Sequence, residues 1–403
     1  MRNTPIVYLD SQDISRFGDV LRGKSDGDTE KIFIELEKRK NNGAAIFVLT
    51  MPILGEIFQY DRDFRETTLK KAEAAERLCG RWALPYPSRL VAAEFSVIAQ
   101  KFGLLEGDKS FNFLSEDRYW YPNISEVFEK LKDDFESMVD KEVSLLNLPS
   151  RSLRRRAKSA AMKLDFRSIP SSLIEDIEEK YGIKNINFKK FLMDLMKGKI
   201  GSEQASRIFF SSIVEPKNFV EVYFEKISKD NSLPEWISGF GKKIQEILRD
   251  FRNGVGPYIG IDDHRVYIEN MIKEQSLKIG PRVAIEIARS DAKEFHLDEK
   301  IFMNFKENGN LMSLIPSSIV ISSVIYQYIN QIIGLSGGLS KIEDSFGGDL
   351  IHALYMPHVD LWRGDRRFSA LIKRGMPIYA NRIVPLLRDL PEIIDAWPGR
   401  KNP

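Results

Sequence analysis

Short apolar runs occur near both ends of the chain, and this distribution constrains the fold more than any other feature. Residues 6–9, IVYL, run into Asp10, and residues 44–50, AAIFVLT, form a second run. Both are compact and rich in β-branched or aromatic side chains, as central strands of a parallel sheet are. A third strand candidate, residues 359–362, lies at the other end of the chain. We therefore predict one α/β domain that is built from both termini.

Helical patterns dominate the sequence between these ends. Apolar side chains recur every three or four residues in segments 124–146, 171–183 and 187–198, a spacing typical of amphipathic helices. The most apolar segment, residues 317–333, is interrupted by serine, asparagine and glutamine. This composition favours a buried helix over a membrane span.

The simplest organisation is a divided α/β domain with a large insertion. We predict that residues 1–60 form its N-terminal half, that residues 61–335 form a mainly α-helical insertion, and that residues 336–403 form its C-terminal half. Residues 377–394 predict a further strand and a closing helix within that last part.

Charge is balanced over the whole chain but not locally. The 403 residues include 60 Lys and Arg against 58 Asp and Glu, and a net charge of +2 excludes no class of partner. Residues 151–164 hold six cationic side chains and no acid. A solvated face is the ordinary reading of such a run, and contact with nucleic-acid phosphates is the functional one. The candidate phosphate contacts in this run are Arg151, Arg154, Arg155 and Lys158.

Cys79 is the only cysteine, so an intramolecular disulfide and a cysteine-based zinc site are excluded. The N-terminus enters a strand-like run directly, without the basic and apolar regions of a signal peptide. We therefore expect a cytoplasmic protein without a membrane partner.

Four acids occupy positions from which they can converge. Asp10 ends the first strand candidate, and Glu56 lies six residues past Thr50, in the first turns of the next predicted helix. Asp349 opens a helix after two glycines, and Asp365 follows the third strand candidate. Ligands bind at the carboxyl ends of parallel strands, and oxygen ligands favour Mg²⁺ or Mn²⁺ over zinc. Taken singly, Asp349 also fits a helix N-cap and Asp365 a surface ion pair.

The order of the segments IVYLDSQDISRF, FVLTMPILGEI and GGDLIHALYMPHVDLWRGDRRF resembles that of the PIN-domain nucleases. Members of that family carry an Asp and often a small polar residue after the first strand, which matches Asp10 and Ser11. A Glu on the helix behind the second strand matches Glu56. A third acid in a D-x-x-H-A helix matches Asp349 with His352. A fourth occurs in T-x-D-x-x-F, of which Asp365 supplies the D-x-x-F part while the Thr is missing.

The resemblance implies a PIN-like parallel sheet with flanking helices and the hydrolysis of phosphodiester bonds. Mg²⁺ or Mn²⁺ would be bound by the four catalytic acids, and Arg363, Arg366 and Arg367 would contact neighbouring phosphates. Accessory roles are expected for Ser11, His352, Asp360 and Glu94. Because the family is dominated by RNA cutters, the first hypothesis is an endoribonuclease, with DNA as the other substrate.

Two other functions were compared with this one. The first is a PIN-like regulatory module that binds nucleic acid or protein with little or no catalysis, which the missing Thr and the large insertion favour. The second, a haloacid-dehalogenase-like phosphatase, requires an Asp where this chain has Gln12, and is set aside. A protein partner or inhibitor bound to the insertion and a homodimer are further expectations. A role as toxin, defence effector or processing enzyme stays open.

Overall fold

A three-stranded parallel sheet lies within a chain that is otherwise mostly helical. The structure, a computed structural model, describes residues 4–57, 65–107, 111–116, 120–121, 123–146, 149–163, 188–221, 246, 249–250, 253, 265–333 and 346–398. Within these residues the fold is mixed α/β, as the sequence predicts. The helix predicted at residues 171–183 lies outside them.

The sheet joins the two ends of the chain. Its strands are β1 (Ile6–Tyr8), β2 (Ile46–Phe47) and β3 (Leu361–Trp362), in the order β2-β1-β3. Both pairings are parallel, with Val7 opposite Phe47 on one side and Leu361 on the other. The prediction that the terminal segments form one sheet is therefore confirmed.

The further strand predicted within residues 377–394 is reduced to a single bridge between Ile383 and Trp362. Residues Pro377–Arg382 form a 3-10 helix instead. The apolar pattern is real, since Ile383 and Val384 are buried, but the segment is extended over too few residues for a full strand.

The helices fall into four groups along the chain. The first contains α1 (Ser11–Leu21), α2 (Gly27–Asn41), α3 (Met51–Ile57), α4 (Arg65–Cys79) and α5 (Pro87–Lys101). The second contains α6 (Ser125–Leu145), α7 (Arg151–Lys163), α8 (Phe188–Met196) and α9 (Ser202–Ile213). The third contains α10 (Arg265–Arg289), α11 (Glu299–Glu307), α12 (Gly309–Met312) and α13 (Pro316–Ile333). The fourth contains α14 (Phe346–Ala353), α15 (Arg366–Gly375) and α16 (Leu390–Asp395).

Two compact units contain these elements. Residues Met1–Trp120 and Leu233–Pro403 form the first unit, and Tyr121–Ser232 form the second. The first unit contains the sheet, α1–α5 and α10–α16. Of these elements, α4, α5 and α10–α13 come from the segment that the sequence predicts as an insertion. The second contains α6–α9. The helices predicted at 124–146, 187–198 and 317–333 are confirmed as α6, α8 and α13.

The contact between α10 and α13 is the most extensive helix packing in the described chain. A Cβ atom at Gly280 of α10 would lie 1.9 Å from Ser322 Oγ and 2.6 Å from the carbonyl oxygen of Ser318. The two helices can approach this closely only because residue 280 has no side chain. None of the helices in the described ranges is long and apolar enough to cross a membrane.

Candidate functional site

A cleft opens at the carboxyl ends of the three strands. Its volume is about 700 Å³, and Asp10, Glu56, Asp349 and Asp365 all line it. Asp10 follows β1, Glu56 lies on α3 behind β2, and Asp365 follows β3. Asp349 comes from α14, which packs against α3. The structure thus brings together the four carboxylates that the sequence nominates, from positions up to 355 residues apart.

Asp10 and Asp365 each cap a helix with one oxygen. Oδ1 of Asp10 accepts a hydrogen bond from the backbone N–H of Gln12 at 2.9 Å and caps α1. Oδ1 of Asp365 accepts bonds from the backbone N–H groups of Arg367 and Phe368 at 2.7 and 2.9 Å and caps α15. In the described part of the chain, Oδ2 of neither acid accepts a hydrogen bond. Each acid can therefore hold its helix and still offer one oxygen to a ligand.

Glu56 is paired with His352. The Nε2 atom of His352 lies 3.0 Å from Oε1 of Glu56, and the hydroxyl of Ser11 donates a hydrogen bond to Oε2. Burial raises the pKa of Glu56, but the charge of His352 and the hydrogen bonds from His352 and Ser11 outweigh it, so that this pKa is about 2. Glu56 is therefore a carboxylate over the whole physiological pH range.

His352 is held from its other side by a buried hydrogen-bond chain. Its Nδ1 atom shares a hydrogen bond with the hydroxyl of Tyr8, and Oγ1 of Thr50 donates to that hydroxyl at 3.5 Å. Burial lowers the pKa of His352, whereas the charge of Glu56, its hydrogen bond and the charges of other acids raise it above the ordinary value. The imidazole is thus fixed in orientation and favoured as a cation. No sequence pattern indicated that Tyr8 and Thr50 belong to the site.

Asp349 is the acid of the cleft whose negative charge is not compensated by a hydrogen bond or an ion pair in the described structure. It makes no hydrogen bond or ion pair among the residues that the structure describes. Burial and then the charge of Asp365 raise the pKa of its carboxyl group, with further contributions from Glu56 and Asp10, and His352 opposes them, so that this pKa is about 7. The raised pKa reflects burial first and the neighbouring acids second, and a bound cation would favour the charged form against both.

Among the residues that the structure describes, three lysine and arginine side chains also line the cleft, namely Arg16, Lys71 and Arg367. Of these, the sequence nominated only Arg367, whose guanidinium carbon lies 5.8 Å from the ring centre of Tyr328. The sequence pattern could have identified Arg16 as a site residue and thus carried a usable signal, because Arg16 stands four residues after Gln12 and six after Asp10 on the first predicted helix. Lys71 had none, because its place depends on how α4 packs against α1.

Arg363 does not line the cleft. Its Nε atom lies 3.3 Å from Oδ2 of Asp13, a side chain without solvent exposure. Burial raises the pKa of Asp13 to about 7, although the charge of Arg363 lowers it. The predicted phosphate contact of Arg363 is thus replaced by an internal contact between β3 and α1. The neighbouring Arg366 is exposed and does not line the cleft either.

Asp360 and Glu94 also lie away from the cleft. Oδ2 of Asp360 accepts a hydrogen bond from the backbone N–H of Ile6 at 2.9 Å, at the amino end of the sheet. Oε2 of Glu94 accepts a bond from the backbone N–H of Ser317 at 2.8 Å, at the start of α13, and Oε1 lies 2.7 Å from Nε2 of His358. Both buried acids hold structural elements in place.

The cationic run predicted to contact phosphates forms α7, which belongs to the second unit. Arg151, Arg154 and Arg155 are exposed. Arg151, Arg155 and Arg156 line a shallow groove of about 460 Å³. Lys158 lies on the same helix, and its side chain is outside the described part of the structure.

The donor set of the cleft suits a hard divalent cation, because it offers carboxylate oxygens without cysteine. The free Oδ2 atoms of Asp10 and Asp365 and the uncompensated charge of Asp349 agree with this chemistry. As they stand, no three His, Cys, Asp or Glu side chains in the described chain are arranged so that they could hold a metal ion. Reorientation of side chains on binding is therefore part of any metal proposal.

Comparisons with protein-family models, with curated proteins and with solved structures find no significant match. The function of the cleft must therefore be argued from its own geometry.

Proposed function

We propose that the chain is a Mg²⁺- or Mn²⁺-dependent nuclease on a PIN-like scaffold, and specifically an endoribonuclease. One observation carries this proposal: Asp10, Glu56, Asp349 and Asp365 line a single cleft at the carboxyl ends of the sheet. Carboxylates that lie close together repel one another, which is unfavourable for folding. Such clusters are typical of sites that bind cations or perform acid–base chemistry. The order of these acids and their flanking residues are those of the PIN resemblance.

The four acids would hold the divalent ion, and the chemistry that such an ion supplies is polarisation of a phosphoryl oxygen and activation of water. The other residues of the site keep the acids in place. His352 and Ser11 orient Glu56, and the backbone N–H groups at the starts of α1 and α15 fix one oxygen of Asp10 and of Asp365.

A polyanionic substrate agrees with the cations outside the acidic cluster. Arg367 lines the cleft beside Asp365 and can offer a guanidinium to a phosphate. The exposed arginines of α7 form a separate cationic surface on the second unit. That helix contains six cations and no acid, as is typical of helices that contact nucleic-acid backbones without regard to sequence.

The test is cleavage of labelled RNA and DNA by the purified protein with Mg²⁺ or Mn²⁺. We expect RNA to be cut and the Asp349→Asn variant to lose at least about 100-fold in rate, because loss of one such group typically removes a few kcal/mol of transition-state stabilisation. Asp19→Asn is the matched control. Asp19 is also an acid of the α1 region but pairs with Arg22 at 3.3 Å and does not line the cleft.

A binding module without catalysis is the second candidate function. It is favoured by Glu56, whose two oxygens are already engaged by His352 and Ser11. If the wild-type protein binds RNA but cuts neither RNA nor DNA with Mg²⁺, Mn²⁺ or Ca²⁺, this second function replaces the first.

A further inference from the structure

Lys71 reaches the cleft because of a glycine on the helix that it crosses. A Cβ atom at Gly18 of α1 would lie 2.8 Å from Cγ and 2.9 Å from the backbone nitrogen of Lys71 on α4. The absence of a side chain at Gly18 therefore allows α4 to approach α1 and the aliphatic stem of Lys71 to lie across it. The rest of the lysine side chain contributes to the wall of the cleft.

The ammonium group of Lys71 has no negatively charged partner within the described structure. Lys71 makes no ion pair there, whereas its neighbour Lys70 pairs with Glu73 at 2.9 Å. Arg16, the other cation on this wall, lies 3.9 Å from the Oδ1 atom of Asp13, and its side chain is 56% exposed. A separation of 3.9 Å is longer than a hydrogen bond, so the guanidinium of Arg16 still has donors to offer to another partner. This wall thus presents positive charge to the cleft.

The positive wall and the acidic cluster lie at different places along the cleft. Asp10 caps the start of α1, and Arg16 stands six residues later on the same helix, which corresponds to ~9 Å along the axis at a rise of ~1.5 Å per residue. A ligand that fills the cleft therefore meets acids at one point and cations at another.

We propose that Lys71 and Arg16 form a phosphate-binding subsite for a polynucleotide, apart from the phosphate that is cut. The subsite rests on the proposed function for the position of the cut phosphate. The ~9 Å between the backbone positions of residues 10 and 16 exceeds the ~3.4 Å rise per nucleotide of one duplex strand, so the subsite would bind a phosphate other than the one that is cut. The preferred substrate is therefore a chain that extends at least this far from the acids, and a dinucleotide is too short to reach both points.

The experiment measures binding without catalysis. Fluorescein-labelled octauridylate and a labelled uridine dinucleotide are titrated with the full chain in EDTA at low ionic strength, and fluorescence anisotropy gives the affinities. Lys71→Met keeps the stem that lies on Gly18 and removes the charge, and Arg16→Gln removes the charge of an exposed side chain. Lys70→Met is the matched control, because this neighbouring lysine does not line the cleft.

We expect Lys71→Met and Arg16→Gln each to weaken octauridylate binding by about tenfold, the value of one charge-assisted contact. The dinucleotide should be bound weakly by every variant, and Lys70→Met should bind octauridylate as the wild type does. Melting temperatures close to that of the wild type identify folded variants. Charge reversal in Lys71→Glu should weaken binding further.

Failure of this inference is distinguishable from failure of the proposed function. If the wild type cuts RNA while Lys71→Met and Arg16→Gln bind octauridylate normally, the subsite is wrong and the nuclease stands. If octauridylate binding depends on both cations but no metal supports cleavage, the subsite stands and the nuclease is wrong. Wild-type protein that does not bind octauridylate at all overturns the subsite.

Discussion

Glu56 and His352 are 296 positions apart in the sequence, yet their side chains lie 3.0 Å apart beside the acidic cluster. The pair joins the N-terminal part of the chain, through α3, to the C-terminal part, through α14. It also keeps Glu56, the cleft carboxylate whose pKa is lowered to about 2, in one orientation. The pair therefore links the stability of the sheet region to the arrangement of the site.

We expect His352→Gln to lower the free energy of unfolding by about 1–2 kcal/mol, less than the loss of a fully buried ion pair, since the side chain of Glu56 is 37% exposed. Glu56→Gln in the same background should recover part of the loss, because it removes the unpaired charge. Chemical denaturation of both single variants and the double variant gives their coupling energy, expected at about 1 kcal/mol. Strict additivity of the two substitutions would show that the pair contributes nothing.

Asp349→Asn should stabilise the protein at high pH. Burial and neighbouring acids raise the folded-state pKa of Asp349 to about 7, above the unfolded value of ~3.9. The folded state therefore binds a proton at Asp349 more tightly than the unfolded state does. As a result, the free energy of unfolding falls as pH rises from about 4 through 7. The variant should exceed the wild type by about 2 kcal/mol at pH 8, after allowance for solvent screening, and by little at pH 4.

The measurement for Asp349→Asn is thermal or urea denaturation at pH 8 and at pH 4, with Asp19→Asn beside it. Asp19→Asn removes a charge outside the cleft, so its effect should be small at both values. An equal gain for Asp349→Asn at the two pH values would contradict the raised pKa.

A divalent ion should stabilise the folded protein by binding near Asp349. At a Mn²⁺ concentration of 100 times the dissociation constant, a ligand that binds only the folded state adds about 2.7 kcal/mol. We expect the melting temperature to rise with Mn²⁺ at pH 8, to rise less at pH 5.5, where Asp349 is protonated, and not to rise in the Asp10→Asn variant. Differential scanning fluorimetry measures this without any substrate, and an equal rise in wild type and Asp10→Asn would place the ion elsewhere.

Gly280→Ala should destabilise the first unit although alanine is the better helix former. The new methyl group would meet the backbone oxygen of Ser318 and the backbone nitrogen of Ser322 at 2.6 and 2.8 Å, and neither atom can move without shifting α13. We expect a loss of about 1–3 kcal/mol. Gly27→Ala on α2 meets nothing within 4 Å and should change the unfolding free energy by less than about 0.5 kcal/mol. Equal effects would show that the helices can separate at no cost.

The sheet and its acids were predictable because they depend on local patterns and one topological rule. Parallel strands present their carboxyl ends at one edge, so Asp10 and Asp365 had to fall near each other once the terminal strands were paired. Glu56 and Asp349 were expected near the starts of apolar helices, and the structure places Glu56 as the sixth residue of α3 and Asp349 as the fourth residue of α14. The helix-cap alternative was assigned to the wrong acid, since Asp349 lies within α14, whereas Asp10 and Asp365 are the helix caps and also line the cleft.

The remaining site residues were not predictable because their positions depend on tertiary packing. Arg363 follows a strand of only two residues, and whether its side chain enters the cleft or turns to Asp13 is decided by the buried charge at Asp13. Lys71 depends on the close crossing of two helices at Gly18. Amphipathic spacing likewise identifies the buried face of α5, α10 and α13 but not the unit in which that face is buried.

The pairing of β1 with β3 has a consequence for synthesis. Asp349 and Asp365 belong to the final part of the chain, so a polypeptide still being translated carries Asp10 and Glu56 long before the other half of the cleft exists. Premature termination after residue 56 but before residue 349 leaves a product with two of the four acids. The four acids can therefore come together only after residue 365 has been synthesised and β3 has paired with β1.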